Sequence, residues 1–123
     1  PSRHRLWLIN CHFDHAGQTA RLESARLVLS QIETINPDGE PLVLMGDFNC
    51  DLLAPEMSRL FQHTSLKVPD RVLPTFPSWA AKRPIDHILV GGLASANYQT
   101  HVAAGSDHLA IALDLELPDH EAA

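Results

Sequence analysis

An apolar run, a long stretch of helical periodicity and a second apolar run together limit what this chain can fold into. Residues 5–11 (RLWLINC) are apolar on both alternating faces, which predicts a strand buried between two layers. Leu22, Ala25, Val28, Leu29, Ile32 and Ile35 then recur at three- and four-residue spacing, with Arg21, Glu23, Ser24, Arg26, Gln31 and Glu33 on the other faces, the pattern of an amphipathic helix. Asn36-Pro37-Asp38-Gly39 stops that helix and turns the chain. Residues 41–45 (PLVLM) predict a second buried strand, which runs into Gly46-Asp47-Phe48-Asn49. Strand, long helix and strand form a right-handed crossover, and so an α/β fold.

The remainder is less regular. Residues 55–63 read as a short helix, with Pro55 suited to its first turn. Residues 69–82, with three prolines and Ser78-Trp79, read as a loop over the surface. Trp79 in it is read either as a lid over a site or as a packing residue. Three further strands are expected at 85–90, 98–103 and 108–117, the last placing Leu109, Ile111, Leu113, Leu115 and Leu117 on one face. Residues 119–123 are expected to be a frayed tail. No repeat, low-complexity tract or linker interrupts the 123 residues, so the whole is one domain or part of one. A start at Pro1 rather than Met, directly before a strand, predicts further sequence upstream.

Composition excludes several classes. Hydrophobic residues at 45% can build a core, so disorder is not the main reading. No segment approaches the ~20 apolar residues of a membrane-spanning helix. Nine Lys and Arg against fifteen Asp and Glu leave a net charge of -6. The cations at Arg3, Arg5, Lys82 and Arg83 make no stripe of the kind that tracks duplex phosphates. Cys11 and Cys50 are too few for a disulfide scaffold and are read as small buried residues. His12 and His15 lack the second ligand pair that a zinc site needs.

Chemically capable side chains gather instead at strand ends: Asn10, His12 and Asp14 after the first strand, Asp47 and Asn49 after the second, Asp86 and His87 at the third, and Ser106-Asp107-His108 before the last. Strand termini are where loops of an open α/β sheet converge on a ligand. Asp and Asn oxygens are hard ligands suited to Mg²⁺ or Mn²⁺. Asp47 can take the proton of an attacking water, and Asn49 can orient that water or the metal. His108 can donate to phosphoryl oxygens as charge builds on them, and Asp86 can fix its tautomer and stabilise its charged form. Water, metal and phosphate together make metal-assisted phosphoester hydrolysis.

Four short boxes carry a family resemblance. Asn10-Cys11-His12-Phe13-Asp14-His15 is similar to N-T-H-[LF]-D, and Gly46-Asp47-Phe48-Asn49 is identical to G-D-F-N. Arg83-Pro84-Ile85-Asp86-His87-Ile88-Leu89 is similar to R-x-I-D-[YH]-[IF]-[LF], and Ser106-Asp107-His108 is the S-D-H box. In this order they resemble the endonuclease/exonuclease/phosphatase superfamily of Mg²⁺-dependent phosphoesterases. Thr75-Phe76-Pro77-Ser78-Trp79 is also similar to bacterial members.

The resemblance implies roles. Asp47 would be the general base and Asn49 its orienting partner; His12 would contact the scissile phosphate, and Asp86 with His108 would form a charged dyad facing it. Asp107, with Asp47 and Asn49, would hold Mg²⁺ or Mn²⁺. The first expected substrate is a nucleic-acid phosphodiester, the second a small or lipid phosphoester, and a non-catalytic interaction module is the third reading. The implied fold is a four-layer α/β/β/α sandwich of which this chain supplies the C-terminal half, a mixed sheet flanked by helices. The N-terminal half, with its metal-binding Glu, is expected to lie outside the chain. An exposed half-sheet is then expected to favour self-association, and the fragment alone to bind metal weakly and be inactive.

Overall fold

The computed structural model describes residues 5–117, so the expected tail at 119–123 lies outside the described residues. Eight elements follow one another: β1 (Trp7–His12), α1 (Gln18–Ile35), β2 (Leu42–Asp47), α2 (Pro55–His63), β3 (Leu66–Lys67), β4 (Asp86–Gly91), β5 (Ala94–His101) and β6 (Ala110–Glu116). β1 and β2 are parallel, in register from Trp7 opposite Leu42 to His12 opposite Asp47, and α1 is the crossover between them. β4 lies antiparallel to β2, with Asp86 opposite Asp47. No helix is long and apolar enough to cross a membrane.

The first sheet is the expected mixed sheet, in the order β1-β2-β4-β3, and β5-β6 form a second, antiparallel pair. β3 pairs with β4 at Val90 and Gly91, and the chain turns at Gly92 with φ 81° into β5. Tyr98 on β5 accepts the Ile88 N–H of β4 at 3.2 Å, covering an edge that β3 is too short to reach. β5 also begins earlier than its apolar pattern, because Ala94 to Asn97 is exposed and a bulge near Asn97 breaks the alternation.

The helices pack on the first sheet around Phe13, Ala25, Leu29, Ile32, Leu44, Phe48, Met57, Leu60 and Leu89. α1 buries Ala25, Leu29 and Ile32 as its periodicity predicts, whereas Leu22 is exposed. Arg21 turns inward in its place, because Glu56 on α2 is buried and needs a cation. Arg21 Nε meets Glu56 Oε2 at 2.7 Å, and Gln18 Nε2 donates to the other oxygen at 3.3 Å. Burial raises the Glu56 pKa, but these hydrogen bonds outweigh it and hold the carboxyl below its usual 4.5. β2 is apolar and buried as expected, with Leu42, Val43 and Leu44 all covered. β1 is not buried on both faces: Trp7, Ile9 and Cys11 pack on the core, while Leu8 is 59% exposed.

One glycine sets the spacing of β1 and β2. Gly46 stands opposite Cys11 with φ 145°, and a Cβ there would collide with the Cys11 carbonyl oxygen. Gly46→Ala should therefore lower unfolding free energy by about 3 kcal/mol or more, measured by urea denaturation. Arg21→Met leaves Glu56 buried without its cation, and should cost about 3 kcal/mol in the same assay. Because the folded Glu56 pKa is depressed, its contribution is present above 4.5 and is lost as pH falls through the folded value. The penalty of Arg21→Met should accordingly shrink as pH falls through the folded Glu56 value, and a penalty that stays the same down to acid unfolding would show that it does not come from the ion pair.

Candidate active site

The strand register does most of the assembly. His12 pairs with Asp47 across β1 and β2, and Asp47 pairs with Asp86 across β2 and β4, so three strand ends deliver three polar side chains to one place. The loop before β6 brings the fourth. His12 Nε2 lies 3.6 Å from Asp47 Oδ2, and His108 Nε2 lies 3.7 Å from the same oxygen. One carboxylate oxygen thus faces two imidazoles.

His108 is held from behind. Its Nδ1 contacts Asp86 Oδ2 at 2.7 Å, and since the carboxylate can only accept, the proton sits on Nδ1. Asp86 is itself held by Thr75, whose hydroxyl donates to the same Oδ2 at 2.6 Å and accepts the Asp86 N–H at 3.3 Å. The Thr75 carbonyl takes the Leu109 N–H at 2.8 Å, tying the His108 loop to the same buried residue. The Phe76 ring lies 4.9 Å from the imidazole, and Ser106 Oγ accepts the His108 N–H at 3.0 Å. Burial lowers the His108 pKa, but the Asp86 hydrogen bond and the charges of Asp86, Asp47 and Asp107 outweigh it, and the net shift is upward from 6.5.

The turn after β2 is pinned residue by residue. Phe13 N–H donates to the Asp47 carbonyl and Phe48 N–H to the Ile85 carbonyl, both at 2.8 Å. The buried Phe48 ring meets Phe13 edge-on at 5.0 Å and His87 at 5.7 Å. Asn49 has φ 51°, a left-handed conformation that asparagine tolerates better than most side chains. Its N–H donates to Asp47 Oδ1 at 2.9 Å, and its Nδ2 donates to the Phe13 carbonyl at 2.6 Å. His87 Nε2–H donates to the Cys50 carbonyl at 3.0 Å. Burial pulls the His87 pKa below 6.5, so this imidazole stays neutral and braces the turn.

All five side chains with expected catalytic roles, His12, Asp47, Asn49, Asp86 and His108, fall at or beside this cluster. Asp107 Oδ1 is 3.8 Å from His108 Nε2 and its side chain is mostly exposed. Asp47, Asp86 and His108 offer ligand atoms that all lie within 4.8 Å of one another. Asp86 is already committed to His108 and Thr75, however, which leaves Asp47 and the exposed Asp107 as the free carboxylates. Hard oxygen donors of that kind suit Mg²⁺ or Mn²⁺. Cys11 is unsuited to nucleophilic work, since burial and the nearby Asp47 push its thiol up to about 12. Asp14 belongs to the start of α1, where its Oδ2 accepts the N–H groups of Ala16 and Gly17. Trp79 is 76% exposed, and its neighbour Ser78 donates its N–H to the Asp107 carbonyl at 2.7 Å.

The sequence alone does not give Thr75 and His87 these supporting roles. Thr75 opens the Thr75-Phe76-Pro77-Ser78-Trp79 run, and His87 is the residue after Asp86 in its box. Nothing linear shows a hydroxyl 11 residues away reaching Asp86.

Three neighbouring strand ends, a braced Asp-x-Asn turn and an Asp–His pair thus meet at one end of an α/β fold. Comparison with known proteins gives the family. A model of the Endonuclease/Exonuclease/phosphatase family matches residues 2–108, and the chain belongs to that family. No curated protein sequence matches it. Among solved structures, a functionally unknown conserved protein from Enterococcus faecalis V583 superposes with a TM-score of 0.76 at 22% identity, covering 89% of this chain and 49% of that one. The mannosyl-6-phosphatase of Bacteroides thetaiotaomicron VPI-5482 gives 0.67 at 25% identity, covering 89% and 51%. An endonuclease/exonuclease/phosphatase protein from Bacteroides vulgatus gives 0.64 at 28% identity, covering 85% and 48%. The chain therefore spans about half the length of the structures it matches, and its fold is part of the family's α/β sandwich.

The raised His108 pKa means that the protonated ring stabilises the folded chain. That contribution is complete below 6.5 and is lost as pH rises through the folded value. Asp86→Asn should return the His108 titration toward 6.5, followed through its ring proton by NMR. A titration left where it was would show that Asp86 does not govern the imidazole.

Proposed function

We propose that this chain carries the catalytic turn and histidine dyad of a divalent-metal-dependent phosphoesterase. The observation that carries the reading is the single Asp47 oxygen faced by His12 and His108, with His108 backed by Asp86. Asp47 takes the proton of the attacking water, and Asn49 orients that water from the same turn. As the water oxygen bonds to phosphorus, charge builds on the phosphoryl oxygens, and the ester oxygen leaves with the P–O bonding pair and takes its proton from solvent. Protonated His108 donates to one of them through Nε2, and His12 contacts the same phosphate. Asp86 holds His108 in the tautomer that leaves Nε2 pointing outward. Asp107, Asp47 and Asn49 would hold Mg²⁺ or Mn²⁺, and a cation bound there supplies positive charge to the phosphoryl oxygens.

A phosphodiester, as in nucleic acid, is the first substrate. The second is a small phosphomonoester, favoured by the net charge of -6 and by the likeness to a mannosyl-6-phosphatase. We also propose that the chain forms one half of its sandwich, the open face of β1 at Leu8 being covered by the rest of the domain. Full metal affinity and turnover then belong to the longer polypeptide, and the isolated chain is expected to self-associate in sedimentation.

The test is hydrolysis of bis-p-nitrophenyl phosphate, p-nitrophenyl phosphate and single-stranded DNA, by the chain and by the longest polypeptide that carries it. Turnover should require Mg²⁺ or Mn²⁺ and stop with EDTA; activity indifferent to EDTA would remove the metal. Asp47→Ala and His108→Ala should each lower kcat by ~10² or more. Either variant staying within a few-fold of wild type would overturn its assigned role.

A further inference from the structure

A groove of about 450 Å³ runs off the catalytic end of the first sheet, between the start of α1, the turn after β2 and the segment leading into β4. The two segments that bring the catalytic carboxylates together continue into its walls. Asn49 lies just past Asp47, and Arg83, Pro84 and Ile85 run straight into Asp86. Of everything lining it, the mechanism above uses Asn49 alone.

The groove has a sign. Glu56 on its floor is fully engaged, one oxygen with Arg21 and the other with Gln18, and the Arg21–Glu56 pair cancels in charge. Asp51 accepts the Leu53 N–H at 2.9 Å. On the opposite wall Lys82 and Arg83 are exposed, and among the described residues neither forms an ion pair. Two free cations against one carboxylate make the groove locally positive in a chain of net charge -6.

Their backbone is also fixed relative to the site. Lys82 and Arg83 N–H both donate to the Phe76 carbonyl, at 3.1 and 3.0 Å, and the Arg83 carbonyl accepts the Thr75 N–H at 2.9 Å. Thr75 is the residue whose hydroxyl holds Asp86. The two cations thus spring from a backbone anchored to the same buried threonine as the dyad.

We infer that this groove is a second anion subsite, in which Lys82 and Arg83 bind a phosphoryl group of the substrate other than the one being hydrolysed. The inference rests on the phosphoesterase reading and narrows it to substrates with two phosphoryl groups. The second can be the next phosphodiester of a nucleic-acid chain or another phosphate on a small molecule. A guanidinium takes a phosphate through two parallel hydrogen bonds, and a lysine adds a point charge. Because this phosphate is remote from the breaking bond, its binding is the same in ground and transition states. The subsite therefore lowers KM and leaves kcat alone.

Two measurements separate the subsite from the activity. Inorganic pyrophosphate titrated into the chain should shift the NMR signals of the Gln18 side-chain amide and the Ile85 backbone amide, both lining the groove, and K82Q/R83Q should abolish the shifts. Should that double variant lose its dispersed amide spectrum, R83Q alone replaces it. Turnover by the longest polypeptide is then compared for thymidine 5′-p-nitrophenyl phosphate with and without a 3′-phosphate, and for glucose 1-phosphate against glucose 1,6-bisphosphate. In one pair the doubly phosphorylated member should have a KM lower by about fivefold or more, the difference vanishing in K82Q/R83Q with kcat within about twofold of wild type. Preference within the nucleotide pair identifies a polynucleotide phosphate, and preference within the sugar pair a small bisphosphate. Shifts that survive in the variant, or turnover with equal KM in both pairs, overturn the subsite. Pyrophosphate shifts that vanish in the variant, with no turnover of any substrate, support the subsite and sink the phosphoesterase reading instead.

Discussion

Everything at the polar end of the first sheet depends on a register. Three neighbouring strands are aligned so that His12, Asp47 and Asp86 stand side by side across the sheet. A slip of one residue in a β ladder would turn each of these side chains to the opposite face. What prevents the slip is partly the core, where Leu42, Leu44 and Leu89 must face the helices, and partly Gly46. Only a residue without a Cβ lets β1 and β2 lie together where Cys11 meets it. The glycine at the head of the Gly46-Asp47-Phe48-Asn49 box thus belongs to the sheet as much as to the chemistry.

Placing Asp47, Asp86 and Asp107 around one imidazole concentrates negative charge, and the fold offsets it by different means. Asp86 is given two hydrogen-bond donors, Thr75 and His108. Asp47 receives the Asn49 N–H on one oxygen and faces two imidazoles with the other. Asp107 is left in solvent. The Asp86 hydrogen bond and then this surplus charge raise the His108 pKa against the effect of burial, and the charge is also what a divalent cation would neutralise.

Much of this was legible in the linear sequence. The crossover and the short second helix follow from periodicity, and the gathering of His12, Asp47, Asp86 and His108 follows from polar residues at strand ends. What escaped depends on contacts between distant segments. A two-residue strand such as Leu66–Lys67 has no periodicity to detect, yet it pairs with β4 and completes the first sheet. Arg21 reads as the solvent side of an amphipathic helix until Glu56 arrives from α2. His87 looks like an accessory to Asp86, because its partner is a backbone carbonyl that carries no side-chain signature. The start of β5 is hidden by exposed small and polar residues that pair through their backbones alone.

His108 enters from the loop leading into the β5–β6 layer, whereas Asp86 is the first residue of β4 in the other sheet. The 2.7 Å bond between them is therefore a strut joining two separately built layers. Sliding of one layer past the other would lengthen it directly, so the protonation of His108 serves as a gauge of how the layers are seated. A substitution in the contact between Tyr98 and Ile88 would then be felt as a change in the acidity of one imidazole.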